Sequence, residues 1–325
     1  LKSIKKIIPI LILLALPLFA KTDYQMYVLS LGAISSILVI SLNYLMGLCG
    51  LTSLGHAAFW GLGAYTTALL LTRLNFPFLP ALLMGGVVSA MVGVLLGIPS
   101  LKIKNVYLVI TTIGFNQILE LIFNNWVTLT RGADGIPQIP PPSLGPIIFS
   151  TPIAKYYFIV SVMLISVLAF ARIKDSRVGR AVQAIRDNEM AAESSGIDVR
   201  FYKILIFTIS AFVAGISGGL LASFIGYISP DTFSPAASQT IVAMLLVGGP
   251  GTIWGAVVGG FMLQIIPEWM RFLKESYMAL YGLLVAIIAL KAPGGIGELA
   301  RTLTVDVLMR LKLLRTARKA EDTNV

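Results

Sequence analysis

Charge is what this chain of 325 residues has least of: Asp, Glu, Lys and Arg together make 12% of it, about half the share found in a soluble domain. Hydrophobic residues make 57%. A surface that apolar has to be buried in lipid. There is one cysteine, Cys49, and one histidine, His56. A single Cys excludes an internal disulfide and a thiolate metal cluster. A single His excludes a polyhistidine site, so neither metal nor cofactor is expected. No G-x-x-x-x-G-K-[ST] phosphate loop occurs, and no G-x-S-x-G, H-E-x-x-H or C-x-x-C. Nothing positions a nucleophile beside His56. The chain therefore reads as a non-enzyme with no nucleotide site of its own. Acids are scarce too, 15 against 25 bases, for a net charge of +10. In so apolar a chain the excess points to membrane lipid headgroups and the positive-inside rule rather than to nucleic acid.

What is present is a series of apolar runs, each near the roughly 20 residues a helix needs to span a bilayer. They fall at 4–20, 27–46, 54–71, 78–98, 107–126, 153–171, 204–224 and 277–290. A further apolar stretch, 238–266, is broken by "GGPG" at 248–251. The first run, with Lys2, Lys5 and Lys6 before it and "LFA" at its end, has the make-up of a cleaved signal peptide; a retained first helix is the favoured reading. Threading the runs from an inside N-terminus puts 19 of the 25 Lys and Arg residues inside and 6 outside. The fold class that follows is all-α: one polytopic transmembrane bundle of about 8–10 helices with both termini cytoplasmic. Eight crossings result if 238–266 dips in and returns, ten if its halves each span. A broken, partly re-entrant element is expected there, and such breaks survive only where protein or water covers the freed backbone.

Three polar parts remain in this single domain. Residues 127–152 form an outside loop whose "PQIPPPSLGP" cannot be helix. Residues 172–203 form an inside loop. The tail, 298–325, sets Leu303, Val307, Leu308, Leu311 and Leu314 near one face among basic residues, which suggests a helix lying on the inner interface.

Two glycine-dense stretches lie within the apolar part. In "LNYLMGLCGLTSLGHAAFWGLGAY" the bland reading of most glycines is close helix packing. The sharper one is an interrupted helix whose free N–H groups face a pathway, with Asn43, Ser53 and His56 adding polar groups there. "LLVGGPGTIWGAVVGGFM" is similar in character and could be its counterpart in a weak internal repeat. Gly47, Gly50, Gly55, Gly248, Gly249 and Gly251 are the candidate hinges. Glu120 is the only acid within an expected span. Asn116 and Gln117 fall within a turn of it and are placed on the same helix face. Intramembrane ionisable groups are functional by default, so Asn116 and Glu120 are pathway candidates, against a plain headgroup contact for Glu120.

The inside loop carries "GRAVQAIRDNEMAAESSGID", the longest polar stretch of the chain, read as one amphipathic helix with Val182, Ile185, Met190 and Ala192 among the charges. Two Arg against four acids make it mildly acidic, which argues for a protein partner rather than anionic lipid. Arg180, Ile185, Arg186, Asp187, Glu189, Ala192, Glu193 and Gly196 are the candidate contacts. Ala181, Ala184, Ala191 and Ala192 keep part of the surface small, and Gly196 ends the helix. Arg200 and Lys203 then hold the next span at the interface.

This stretch, continued through "IDVRFYKILIFTISAFVAGISGGLLA", closely resembles the LivM-type permease subunits of branched-chain amino acid ABC transporters. "SLGHAAFWGLGAY", "NNWVTLTRGADGI", "GGPGTIWGAVVGG" and "APGGIGEL" are similar to the same family. The resemblance covers about Asn43 to Leu299. Leu51 departs from it, where many relatives carry a polar residue, which puts a polar substrate contact at that point in doubt. The resemblance implies that 179–196 is a coupling helix seated in a cleft of a cytoplasmic ATPase subunit. It also implies a second related permease subunit, two ATPase subunits, an extracytoplasmic substrate-binding protein and a place in the cell inner membrane. Alternating access would carry branched-chain or similar amino acids. Rival readings are the same machinery carrying urea or a short amide, an ion-driven secondary transporter or channel, for which few intramembrane charges are available, and a non-transporting membrane anchor.

Overall fold

The computed structural model describes residues 13–20, 22–100, 105–269 and the single positions 282, 283, 286, 294 and 295. The expected span 277–290, most of the run 4–20 and the tail 298–325 lie outside the described residues. Besides helical residues at 13–19 and a π segment, Tyr44–Cys49, the described bundle is built by α1 Asp23–Asn43, α2 His56–Arg73, α3 Phe78–Ser100, α4 Asn105–Asn125, α5 Pro152–Asp175, α6 Arg177–Asp187, α7 Glu189–Ser194, α8 Val199–Ile225, α9 Pro235–Gly248 and α10 Ile253–Trp269. Among the described residues five stretches are long and apolar enough to cross a membrane: Asp23–Cys49, Phe78–Ile98, Tyr107–Asn125, Pro152–Asp175 and Val199–Ile225. The chain is a multi-pass helical membrane protein. Apolar side chains such as Leu83, Met91 and Leu95 on α3 and Ile165 and Leu168 on α5 stay exposed on its outside, the side chains a lipid-facing surface needs.

Helix starts follow from their caps. Thr22 accepts from the amide of Gln25 at α1, and Thr151 accepts from Ala154 ahead of Pro152 at α5, each satisfying an amide the helix itself leaves open. Between α4 and α5 the proline-rich loop is non-helical as expected over 137–142. A one-turn helix, Val127–Thr130, precedes it, and a two-stranded hairpin follows, β1 Ser143–Leu144 with β2 Ile147–Ile148. Arg73 at the end of α2 donates to the Thr128 and Leu129 carbonyls at 2.7 Å. The end of α2 and this loop therefore share one end of the bundle. The other end gathers Arg172, Lys174, Arg177, Arg180, Arg186, Arg200 and Lys203 where α5 turns into α6, α7 and α8.

At the centre, α8 lies against α2 and α3. A Cβ on Gly63 would strike the Gly215 backbone, and one on Gly218 the Trp60 carbonyl. These are backbone-to-backbone approaches of the small-residue kind that hold membrane helices together.

Among the described residues the broken stretch runs along the bundle as two short apolar helices of opposite direction, α9 and α10. After α8 the chain turns at Gly226 and pairs Ile228 with Ile136 of the long loop. It then descends as irregular backbone through a short turn, Pro230–Phe233, and Phe233 packs on Trp60 and Tyr65 of α2. The 14-residue α9 completes the descent to Gly249 at the basic end. Helix α10 returns antiparallel to α1: Thr252 lies by Asn43, Val257 by Ser36 and Phe261 by Gly32. In the irregular part Ile228, Pro230 and Phe233 are buried against protein, while Tyr227 and Asp231 are exposed; a bilayer tolerates such backbone only where protein or water covers it.

Candidate functional site

The first glycine-dense stretch is an interrupted helix, as expected. Helix α1 widens into a π segment, Tyr44–Cys49, and stops at Gly50, whose φ of 72° ends the helix in the left-handed region. The chain then runs irregularly to His56. The amides at the start of α2 are not free toward a pathway, which corrects the expectation. Leu54 donates to Thr112 Oγ1 (3.1 Å), Gly55 to Ser53 Oγ (3.4 Å) and Ala57 to Ser238 Oγ (2.9 Å). Side chains of α4 and α9 thus fill the positions a ligand would have taken. Ser53 and His56 are fully buried, and His56 Nε2 lies 2.6 Å from Ser41 Oγ. Both are buried in the packing of the break. Asn43 is a clamp: its Oδ1 accepts from Gly251 N (2.7 Å) and its Nδ2 donates to Thr252 O (2.9 Å).

The six candidate hinge glycines divide into two kinds. Gly50, Gly249 and Gly251 have positive φ, which suits glycine alone among these residues. Gly47, Gly55 and Gly248 are points of contact: a Cβ on Gly47 would strike Asn43 Oδ1 and Gly251 N, one on Gly55 the Thr112 carbonyl, one on Gly248 the Gly255 carbonyl. The two glycine-dense stretches, far apart in sequence, therefore touch.

The polar stretch at the basic end is two helices, not one. Asn188 breaks it in an extended conformation and caps α7, accepting from Ala191 N at 3.1 Å. This break rotates Met190 out of the apolar face and leaves it 78% exposed. Ile185, Ala192 and Val199 form a small core beneath the pair. Ile185 and Ala192 therefore hold α6, α7 and α8 together, and a bulky residue at Ala192 would part these helices before it met a partner. Gly196, with φ 82°, ends α7 as expected: its amide donates to the Glu193 carbonyl and that of Ile197 to the Ala192 carbonyl, the paired bonds of a Schellman end. Lys203, 5% exposed, binds Glu189 Oε1 at 2.6 Å, so it is sunk into the packing rather than held at an interface. Arg186 turns its Nη1 to the Gly47 carbonyl (2.8 Å) while its Nη2 meets Asp187 (3.1 Å). Arg180, Asp187 and Glu193 remain on the outer surface.

On α4 the expected common face splits. Asn116 is fully buried, and among the described residues neither its Nδ2 nor its Oδ1 has a hydrogen-bond partner. Thr112, Leu119 and Phe123 are buried on that side with it. Gln117 is exposed on the other side and donates to Glu120 Oε2 at 3.2 Å. One residue of helix is a turn of 100°, and this separates Asn116 from Gln117.

Lys174 was missed by sequence reasoning. It donates to the Gly251 carbonyl, yet in sequence it is one more cation at the inner end of a span. Thr112 and Ser238, the caps of α2, were missed as well, because each sits in a different helix far along the chain. Among the described residues no group of three His, Cys, Asp or Glu is placed to hold a metal.

Comparison with known proteins agrees over most of this framework. A family described as branched-chain amino acid transport system permease component matches residues 24–290. The chain is 32% identical to the high-affinity branched-chain amino acid transport system permease protein LivM of Escherichia coli K12, over 90% of this chain and 72% of that protein. For LivM of Salmonella typhimurium the identity is 33%, over 82% and 68%. It is 25% identical to the corresponding permease protein LivH of E. coli K12, over 83% and 93%. No solved structure matches. With the matched region running from the start of α1 past the end of α10, the chain belongs to the family of permease components of branched-chain amino acid transport systems.

Proposed function

We propose that the chain is one permease subunit of an ATP-driven importer that carries branched-chain amino acids across the cell inner membrane by alternating access. The observation that carries this is the α6–α7 pair: a polar, well-capped helical unit seated on the basic end of an otherwise apolar bundle. Its outer surface offers Arg180, Asp187, Met190 and Glu193. A chain with no phosphate loop of its own has to receive work through such a contact. By the positive-inside rule the basic end is cytoplasmic, where two ATPase subunits dock on the pair. An extracytoplasmic binding protein delivers the amino acid at the opposite end. Likeness to both LivM and LivH supports a hetero-pair in which a related permease completes the pathway. The side of α4 that carries exposed Gln117 and half-buried Glu120 is where that pathway runs, since an amide and a carboxylate on a span are costly against lipid.

Met190→Asp tests the docking surface. It touches no span, so the protein still inserts. ATPase recovery on pull-down falls about tenfold or more, as for the loss of a central apolar contact, and uptake of radiolabelled leucine by the reconstituted complex falls with it. Full recovery together with full uptake would remove α6–α7 from the docking surface.

A further inference from the structure

Two cations reach from the α5–α6 corner to the two glycine breaks. The corner itself is one body: a Cβ on Gly179 would strike the Ile173 and Lys174 carbonyls. Gln183 Nε2 also donates to the Lys174 carbonyl (3.2 Å) and to the Gly179 carbonyl (3.0 Å). From this corner Arg186 donates to Gly47 O in the first break, and Lys174 donates to Gly251 O in the second. Both acceptors lie where a helix has been interrupted, so their carbonyls suit an outside donor, and a cationic donor makes the stronger bond. The breaks are in turn joined to each other through Asn43, which holds Gly251 N and Thr252 O. Arg186 also lies flat on the first break, since a Cβ on Gly50 would come within 2.6 Å of its Cγ. The contacts close into a ring: α6, Arg186, Gly47, Asn43, Gly251, Lys174 and back to α6.

We propose that Arg186 and Lys174 are positioning residues that tie both glycine breaks to the α5–α6 corner, so that displacement of α6 moves the end of α1 and the α9–α10 elbow as one unit. This rests on the reading of α6–α7 as the docking site. It adds the route by which motion there enters the bundle. If the ring couples the two bonds, losing either weakens the other by the same free energy, because coupling between two sites is reciprocal.

Hydrogen exchange on the full chain in lipid nanodiscs reads the ring without any partner. Arg186→Met touches the first break and Lys174→Met the second. Each is expected to raise exchange about tenfold in the peptides covering both 47–51 and 249–252, the scale of a lost charged hydrogen bond. Arg186→Lys and Lys174→Arg keep a donor, so they hold the protection and cover the case in which a Met variant accumulates poorly. Exchange that rises only at the break each variant touches, or at neither, overturns the ring. In the assembled transporter, uptake per ATP hydrolysed is expected to fall about tenfold in the Met variants. An unchanged ratio with both breaks loosened overturns the transmission role. A wild-type complex that imports no amino acid would instead remove the docking reading, and the exchange result would still decide the ring.

Discussion

Helices α1 and α4 are each 21 residues long and apolar, yet the rest of the chain buries 78% of the span that contains α1 and 28% of the span in α4. Every polar group cited on α1 is engaged. Ser36 Oγ donates to the Val257 carbonyl, Ser41 pairs with His56, and Asn43 clamps Gly251 and Thr252. Its carbonyls are used too, Ile34 O by Ser217 and Ser41 O by Ser210. On α4 the amide of Asn116 is buried without a partner, and Gln117 and Glu120 look outward to each other. Polarity inside a membrane protein thus takes two forms. On α1 donors and acceptors match and fix structure; on α4 one buried amide stays unmatched among the described residues, and a polar pair is satisfied only by itself.

The largest effect that could break this comparison is on α1. Gly47→Val would place a branched side chain against Asn43 Oδ1 and the Gly251 backbone. Neither can retreat, so the cost exceeds the roughly 1–3 kcal/mol of ordinary overpacking. Membrane abundance, read by quantitative immunoblot, should fall about tenfold or more. Normal abundance would show that α1 is not the fixed member of the pair.

A smaller effect is expected on α4, and on transport alone. Glu120→Ala and Gln117→Ala should leave abundance within about twofold, because surface changes cost little. Maximal leucine uptake should drop about tenfold, which is 1.4 kcal/mol on the barrier. Unchanged kinetics would return Glu120 to a headgroup contact.

The smallest effect sharpens the contrast at its finest point. A buried amide with no partner costs about 1–3 kcal/mol. Asn116→Leu should therefore raise the thermal midpoint of the detergent-solubilised protein by about 2–4 °C. A fall in the midpoint would mean that an ordered water or a neighbour satisfies the amide.

Much of this was legible in the sequence, and the part that was not has a common cause. Spans follow from apolar run length, so α3, α5 and α8 fall within a few residues of expectation. Gly196 could be placed at a helix end because the αL position is a local demand. The 179–198 stretch was read as one helix because its polar residues all tolerate helix. Asn188 breaks it by capping α7, a choice made between two local structures that periodicity does not rank. Ser53, His56 and Asn43 carry the chemistry a pathway would use. Ser53 accepts from Gly55 within its own loop and His56 pairs with Ser41, while Asn43 is held by Gly251 and Thr252, partners from a distant part of the chain that a linear pattern does not contain. The split between Asn116 and Gln117 was in principle available from helix geometry, but it decides function only once the buried side of α4 is known.

The hydroxyl that caps α2 has a consequence for how the protein is made. Ala57 and Ser238 are separated by 181 residues. At a synthesis rate of about 5–20 residues per second, α2 emerges roughly 10–35 s before its cap exists. Over that interval the amide of Ala57 has to find water, lipid headgroups or a chaperone. The irregular chain before α9 is in the converse position, since it can enter the bilayer only against Ile136 and α2 already in place. The glycine-broken stretch therefore goes in only after the first half of the molecule is in place, and its arrival supplies the Ser238 cap that half lacks.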